Sequence, residues 1–186
     1  MATEKELVAL GVLIRDAFAL APYPGDDNIA PHECDECEEL REAFRRKDWR
    51  TIDPGTVRKN YDKLVLLTHE ARRSFLPAYL LVSLKEFSSE NDVLEFTIYN
   101  LCPEANSRWF RDAERQDYER KRRAVFSERE RADVVAFLEL AKRDIKDMFT
   151  DAARGLRWWS AWARRAISGG VDGTRTRGLR RDRPAL

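Results

Sequence analysis

The sequence predicts an all-α fold, an irregular bundle of about five to seven helices, with a short β element open as an alternative near residues 93–99. Three observations carry this. Apolar residues recur at three- and four-residue steps along most of the chain. Only 8 Gly and 7 Pro occur in 186 residues, too few for a turn-rich all-β fold. Charged residues make up 36%, which suits helices with solvated, salt-bridged faces. The length fits one domain able to bury a real core. The expected organisation is a helical domain over residues 4–150, an amphipathic Trp/Arg-rich helical extension over 151–168 and a disordered tail over 169–186.

The first helix is expected from about residue 4 to 20. Thr3 and Glu6 have capping-box spacing, and Leu7, Leu10, Ile14, Ala17 and Phe18 follow at helical intervals. Residues 21–28, with two prolines and a Gly-Asp pair, break it into a loop. A second helix is expected from Pro31 to Arg46. Its acidic start (Glu33, Asp35, Glu36) and basic end (Arg45, Arg46, Lys47) complement the helix dipole. Asp53-Pro54 pairs an N-cap with proline at the first helical position, so a third helix starts there.

Thr68 caps a fourth helix, in which Pro77 removes a backbone donor and predicts a kink or a new start. Residues 78–87 are apolar nearly all round, the pattern of a central helix. Ser88 or Ser89 caps the next element, Val93 to Leu101. Its Val93, Phe96, Ile98 and Tyr99 are β-prone, which keeps the strand open. Residues 104–126 form a charged connector carrying Trp109, Phe110, Tyr118 and Phe126. Ser127 and Glu130 make a second capping box. The helical pattern beyond them, from Val134 to Ala166, is either one long helix or two broken near Thr150-Asp151.

Three segments together resemble a known family. They are Ile14-Arg-Asp-Ala-Phe18 with Pro22-Tyr-Pro-Gly-Asp-Asp27, His32-Glu-Cys-Asp-Glu-Cys-Glu-Glu-Leu40 with Phe44 and Trp49, and Leu67-Thr-His-Glu-Ala71 with Leu76-Pro-Ala-Tyr-Leu-Leu81. In order and spacing, over about residues 5–145, they resemble a family of small bacterial proteins defined only as a domain of unknown function. The resemblance implies a bacterial, cytoplasmic protein and brings no activity with it.

His32-x-Cys34-x-x-Cys37 is the one metal-like cluster. Two thiolates at the start of a helix and one imidazole can hold zinc, with His69 or Cys102 as the fourth ligand. The competing reading is structural. Cys34, Cys37, Leu40 and Phe44 recur at three- and four-residue steps, as on a buried helix face, and free Cys is among the most buried residue types. The second Cys-x-x-Cys of a full zinc signature is missing. No other cofactor is expected.

Catalysis has little support. There is no Gly-rich phosphate loop, Gly-x-Ser-x-Gly or His-Glu-x-x-His. His69 reads as a first-turn surface residue. Asp26 and Asp27 read as turn and cap residues, with a cation or a basic partner as the alternative. Arg120-Lys-Arg-Arg123, beside Tyr118 and Phe126, can suit single-stranded nucleic acid, but Asp117, Glu119, Glu128 and Glu130 interrupt it. A solvated, salt-bridged connector is the better reading.

Leu156-Arg-Trp-Trp-Ser-Ala-Trp-Ala-Arg-Arg-Ala-Ile167 can dock on the core, self-associate, fill a partner's groove or lie on an anionic membrane. No run approaches the ~20 apolar residues that span a bilayer. Three Cys, an odd count, and the absence of a leader-like start point to a reducing cytoplasm. The leading expectation is a non-enzymatic protein-interaction or regulatory module, acting on a protein partner or through self-association of the C-terminal helix. The alternatives are a zinc protein and a nucleic-acid-binding accessory protein.

The tail is read differently. Residues 172–186 hold five Arg and two Asp, so the remaining body carries a net charge of −2. A near-neutral body gives no global electrostatic case for nucleic acid. Back-translated with GC-rich codons and read on the opposite strand, the tail resembles an aspartate tRNA gene. A stem closes on a loop with the anticodon GTC, and GGTTCGAGTCC resembles a T-arm. On this reading its arginines carry no information about a ligand. Sequencing the locus should reveal an intact tRNA gene on the opposite strand.

Overall fold

Eight α-helices and no strand make up the described residues. A computed structural model describes the backbone of residues 1–102 and 113–168, and the side chains of these residues apart from 114–116 and 161–168. The predicted tail and its tRNA-like reading lie outside the described residues.

The first helix, α1 (Glu4–Ala17), starts with the expected capping box. Thr3 Oγ1 accepts from the Glu6 amide, and the Glu6 carboxylate accepts from Thr3 N at 2.8 Å. Such caps contribute about 1 kcal/mol. The second, α2 (Asp35–Phe44), is shorter than the expected Pro31–Arg46. At its end Arg46 takes φ 54°, the one positive φ at a non-glycine position among the described residues. Arg46 N donates to Tyr23 Oη at 2.7 Å, and Tyr23 Oη donates to Asp26 at 2.5 Å. The Pro-Tyr-Pro-Gly-Asp-Asp loop is thus tied to the end of α2. Helix α3 (Pro54–Lys59) begins at the predicted Asp53 cap.

The centre of the fold is α4 (His69–Lys85). It packs on α1, α3, α5 (Asp92–Leu101) and α6 (Ala113–Ala124). Because it meets neighbours on every side, it is apolar on every side. Phe75 and Tyr79 lie against Phe44 of α2, with ring centroids 4.7 and 6.4 Å away. Pro77 does not break the helix, which is continuous across it. Proline in a helix interior costs ~3 kcal/mol. Burial of Phe75, Leu76 and Leu80, each 0% exposed and each contributing ~1.5–3 kcal/mol, outweighs that cost.

The β alternative at 93–99 gives way to α5, and its cap is Asn91 rather than Ser88 or Ser89. Asn91 Oδ1 accepts from Val93 N at 3.0 Å. Val93, Leu94, Ile98 and Leu101 then fall on the buried side, so packing overrides β propensity. Part of the predicted connector is helical, as α6. The long C-terminal pattern forms two helices, α7 (Glu128–Asp144) and α8 (Phe149–Ser168). They are joined at a 3-10 turn over Lys146–Met148, a few residues before the expected break.

Glu130 is 1% exposed at the start of α7. It closes the capping box on Ser127 N at 2.6 Å and accepts Arg73 Nε of α4 at 3.0 and 3.1 Å. One carboxylate therefore caps a helix and pins it to the central one.

The residues read as an extension from 151 supply Ala152 and Trp159 to the buried core. Trp159 Nε1 donates to Leu101 O at 2.9 Å, and its ring meets Phe126 at 5.3 Å. At Gly155 a Cβ would lie 3.0 Å from a Leu138 methyl and 3.1 Å from Cys102 Sγ, so α8 sits as close to α5 and α7 as a glycine permits.

Candidate functional site

The residues of the predicted metal cluster are split between surface and core. His32 and Cys34 are exposed in the approach to α2, whereas Cys37 is 0% exposed on its inner face. Burial, then a hydrogen bond with the Cys34 thiol, raises the Cys37 pKa. Cys102 lies at the end of α5, where Sγ donates to Asp151 O at 2.8 Å. Burial pushes its thiol up to about 11. His69, in the first turn of α4, is half-buried against the Tyr118 ring at 4.8 Å. Among the described residues no three His, Cys, Asp or Glu side chains converge as a metal site. Cys34 and Cys37 are brought together; His69 and Cys102 belong to other parts of the fold.

The basic run on α6 is divided as well. Arg120 and Lys121 face outward and pair with Asp117. Arg122 and Arg123 turn inward, donating to the carbonyls of Asn100 and Trp158. Arg123 also covers the Trp158 ring at 4.7 Å. Half of the run therefore binds α6 to α5 and α8 instead of facing solvent.

A different place combines shape with chemistry. Helix α5, the 3-10 turn at Lys146–Met148 and the first turn of α8 enclose a cavity of about 470 Å³. Its apolar lining is Phe96, Ile98, Tyr99 and Met148. Phe96 is held in place by Tyr61, edge-to-face at 4.9 Å. Tyr99, also in the lining, remains 53% exposed. Glu95, Asp147 and Asp151 supply the charge, and Ser89 a hydroxyl. No Lys or Arg is among the described lining residues.

The local sequence explains this arrangement. Asp151 in the first turn of α8 suits the positive end of the helix, and Arg154 holds it at 3.0 Å. Glu95 likewise stands in the first turn of α5, at its positive end. Ile98 and Met148 face the core side, while Tyr99 follows Ile98 outward. The chemistry is that of binding. Aromatic and aliphatic carbon accepts a hydrocarbon group, and carboxylates with exposed rings attract a cation. No described lining residue forms a nucleophile–base pair. Sequence reasoning missed this site, because its residues come from a segment left open as a strand and from a helix junction placed too late. Tyr99 directly after buried Ile98 was the one available signal.

No protein-family model, no curated protein and no solved structure matches the chain. No described helix is long and apolar enough to cross a membrane.

Proposed function

We propose that this is a non-enzymatic protein-interaction module that grips a short basic segment of a partner in the α5–α8 cavity. The carrying observation is an apolar, aromatic-lined cavity whose only described charges are carboxylates. An apolar anchor residue fills the floor, and a neighbouring Lys or Arg meets Glu95 or Asp147. Pockets that specify a peptide in this way combine buried apolar anchoring with charge selection at the rim. A bacterial, cytoplasmic setting belongs to the proposal.

The test is anisotropy of labelled peptides in which Leu or Phe is flanked by Lys, or by Glu in the matched control. Lys-flanked peptides should bind, more weakly as salt rises. Tyr99→Ala should weaken binding by roughly tenfold or more, as loss of a hot-spot aromatic does. Asp147→Asn should reduce the preference for Lys. Equal binding of both peptide classes, or binding unchanged by Tyr99→Ala, would overturn the proposal.

A further inference from the structure

Helix α1 is apolar on both of its sides. Its inner face, with Leu10 and Ile14, packs on α4 and α7. Its outer face carries Val8 (61% exposed), Val12 (52%) and Leu13 (48%), with Ala9 exposed between them. At about 3.6 residues per turn, Lys5, Ala9, Val12 and Asp16 run down the middle of this outer face, with Val8 and Leu13 on its two flanks. Solvated helices usually place charge at such positions. Here charge stands only at the two ends of the stripe, and with opposite sign.

That pattern complements itself. We infer that α1 docks antiparallel against α1 of a second copy of this chain, forming a two-fold homodimer. A two-fold axis at the level of Leu10 and Gly11 sets Lys5 near Asp16 of the other copy and Ala9 near Val12, while the two Val8 side chains share one edge of the interface and the two Leu13 side chains the other. The Lys5–Asp16 and Ala9–Val12 contacts each occur twice, as an isologous interface requires. Lys5 and Asp16 meet at both ends, whereas a parallel arrangement would set Lys5 beside Lys5 and Asp16 beside Asp16. The small Ala9 lets the helices approach closely. Asp16 has one described ion-pair partner, Arg129 at 3.8 Å, and both side chains are more than half exposed. That contact is weak and does not occupy the carboxylate. This face is separate from the α5–α8 cavity, so the dimer does not depend on the proposed peptide site.

Sedimentation equilibrium of the full chain at high-micromolar concentration tests the inference. The wild type should be a dimer. Val12→Glu should dissociate it with an unchanged helical circular dichroism spectrum. Lys5→Asp and Asp16→Lys should each weaken it by roughly tenfold or more, since like charges then meet across the axis. The double variant Lys5→Asp/Asp16→Lys should regain the wild-type affinity, which simple damage to α1 does not predict. A monomeric wild type, a dimer indifferent to Val12→Glu, or a double variant no tighter than either single one would overturn the inference. Peptide binding at the α5–α8 cavity should survive Val12→Glu, which separates the two proposals.

Discussion

Arg72 has its guanidinium almost wholly out of water, 3% exposed, yet it is well placed. It donates to Leu64 O at 2.7 Å and to Asn100 O at 3.1 Å, and Arg122 donates to the same Asn100 oxygen. That carbonyl is in the last turn of α5, where unsatisfied C=O groups gather partial negative charge. Two cations thus cap one helix end from inside the protein. Burial and the nearby Arg122 lower the Arg72 pKa, but an arginine starts so high that it keeps its proton. His69 is next to this group, and the same conditions act on a side chain that titrates near neutrality. Burial first, then Arg72 and Arg122, lower its pKa, while Glu70 and Glu119 pull the other way. The fold therefore prefers neutral His69. Its contribution is fully present above the unfolded value of ~6.5 and is lost as pH falls through the lower folded value. Denaturant titrations should show the wild type losing stability below about pH 6.5 relative to His69→Phe, which keeps a ring against Tyr118 and takes no proton. Parallel pH profiles would rule this out. Sequence alone placed His69 in the first turn of α4 but could not show that α6 covers it.

At the scale of elements, the helix starts were the most legible features. The caps at Thr3, Asp53, Thr68 and Ser127 all hold, because a cap is a local bargain between a side chain and amides two or three residues away. Features decided by distant neighbours were not legible. Pro77 reads as a break, yet α4 is buried so fully that packing carries the helix across it. Val93, Ile98 and Tyr99 are β-prone and keep a strand open, yet a helix buries Val93 and Ile98 once α4 and α8 are beside it and leaves Tyr99 exposed. Gly155 shows the same conflict in a form that can be measured. Gly→Ala inside a helix ordinarily gains ~1 kcal/mol. Here the new methyl meets Leu138 at 3.0 Å and Cys102 Sγ at 3.1 Å. Thermal denaturation of Gly155→Ala should show no gain or a loss. In a Cys102→Ala background, where the sulfur is gone, the same change should be less harmful or beneficial. A full helix-propensity gain in the wild-type background would mean that α8 sits less tightly than described.

At the scale of the molecule, α7 and α8 form a hairpin laid over the end of α5, and the candidate site exists only because of that closure. The sequence showed the all-α class, since periodicity and composition need no tertiary information. It did not show the cavity, because Glu95, Tyr99, Asp147 and Asp151 have nothing in common until the hairpin closes. The same closure places Cys102 beneath α8, its thiol pushed up to about 11 and bonded to Asp151 O. Cys102 is thereby a chemical clock for the lifting of one helix. A thiol reagent should modify exposed Cys34 at once and Cys102 only during openings, at a rate set by the free energy of lifting α8. Trp159→Ala, which removes a buried anchor worth ~3–5 kcal/mol, should speed the labelling of Cys102 far more than that of Cys37, as read by mass spectrometry. Equal acceleration at both thiols would mean that the chain opens as a whole. Selective acceleration would define α8 as a cooperative unit that detaches while the rest of the protein stays folded.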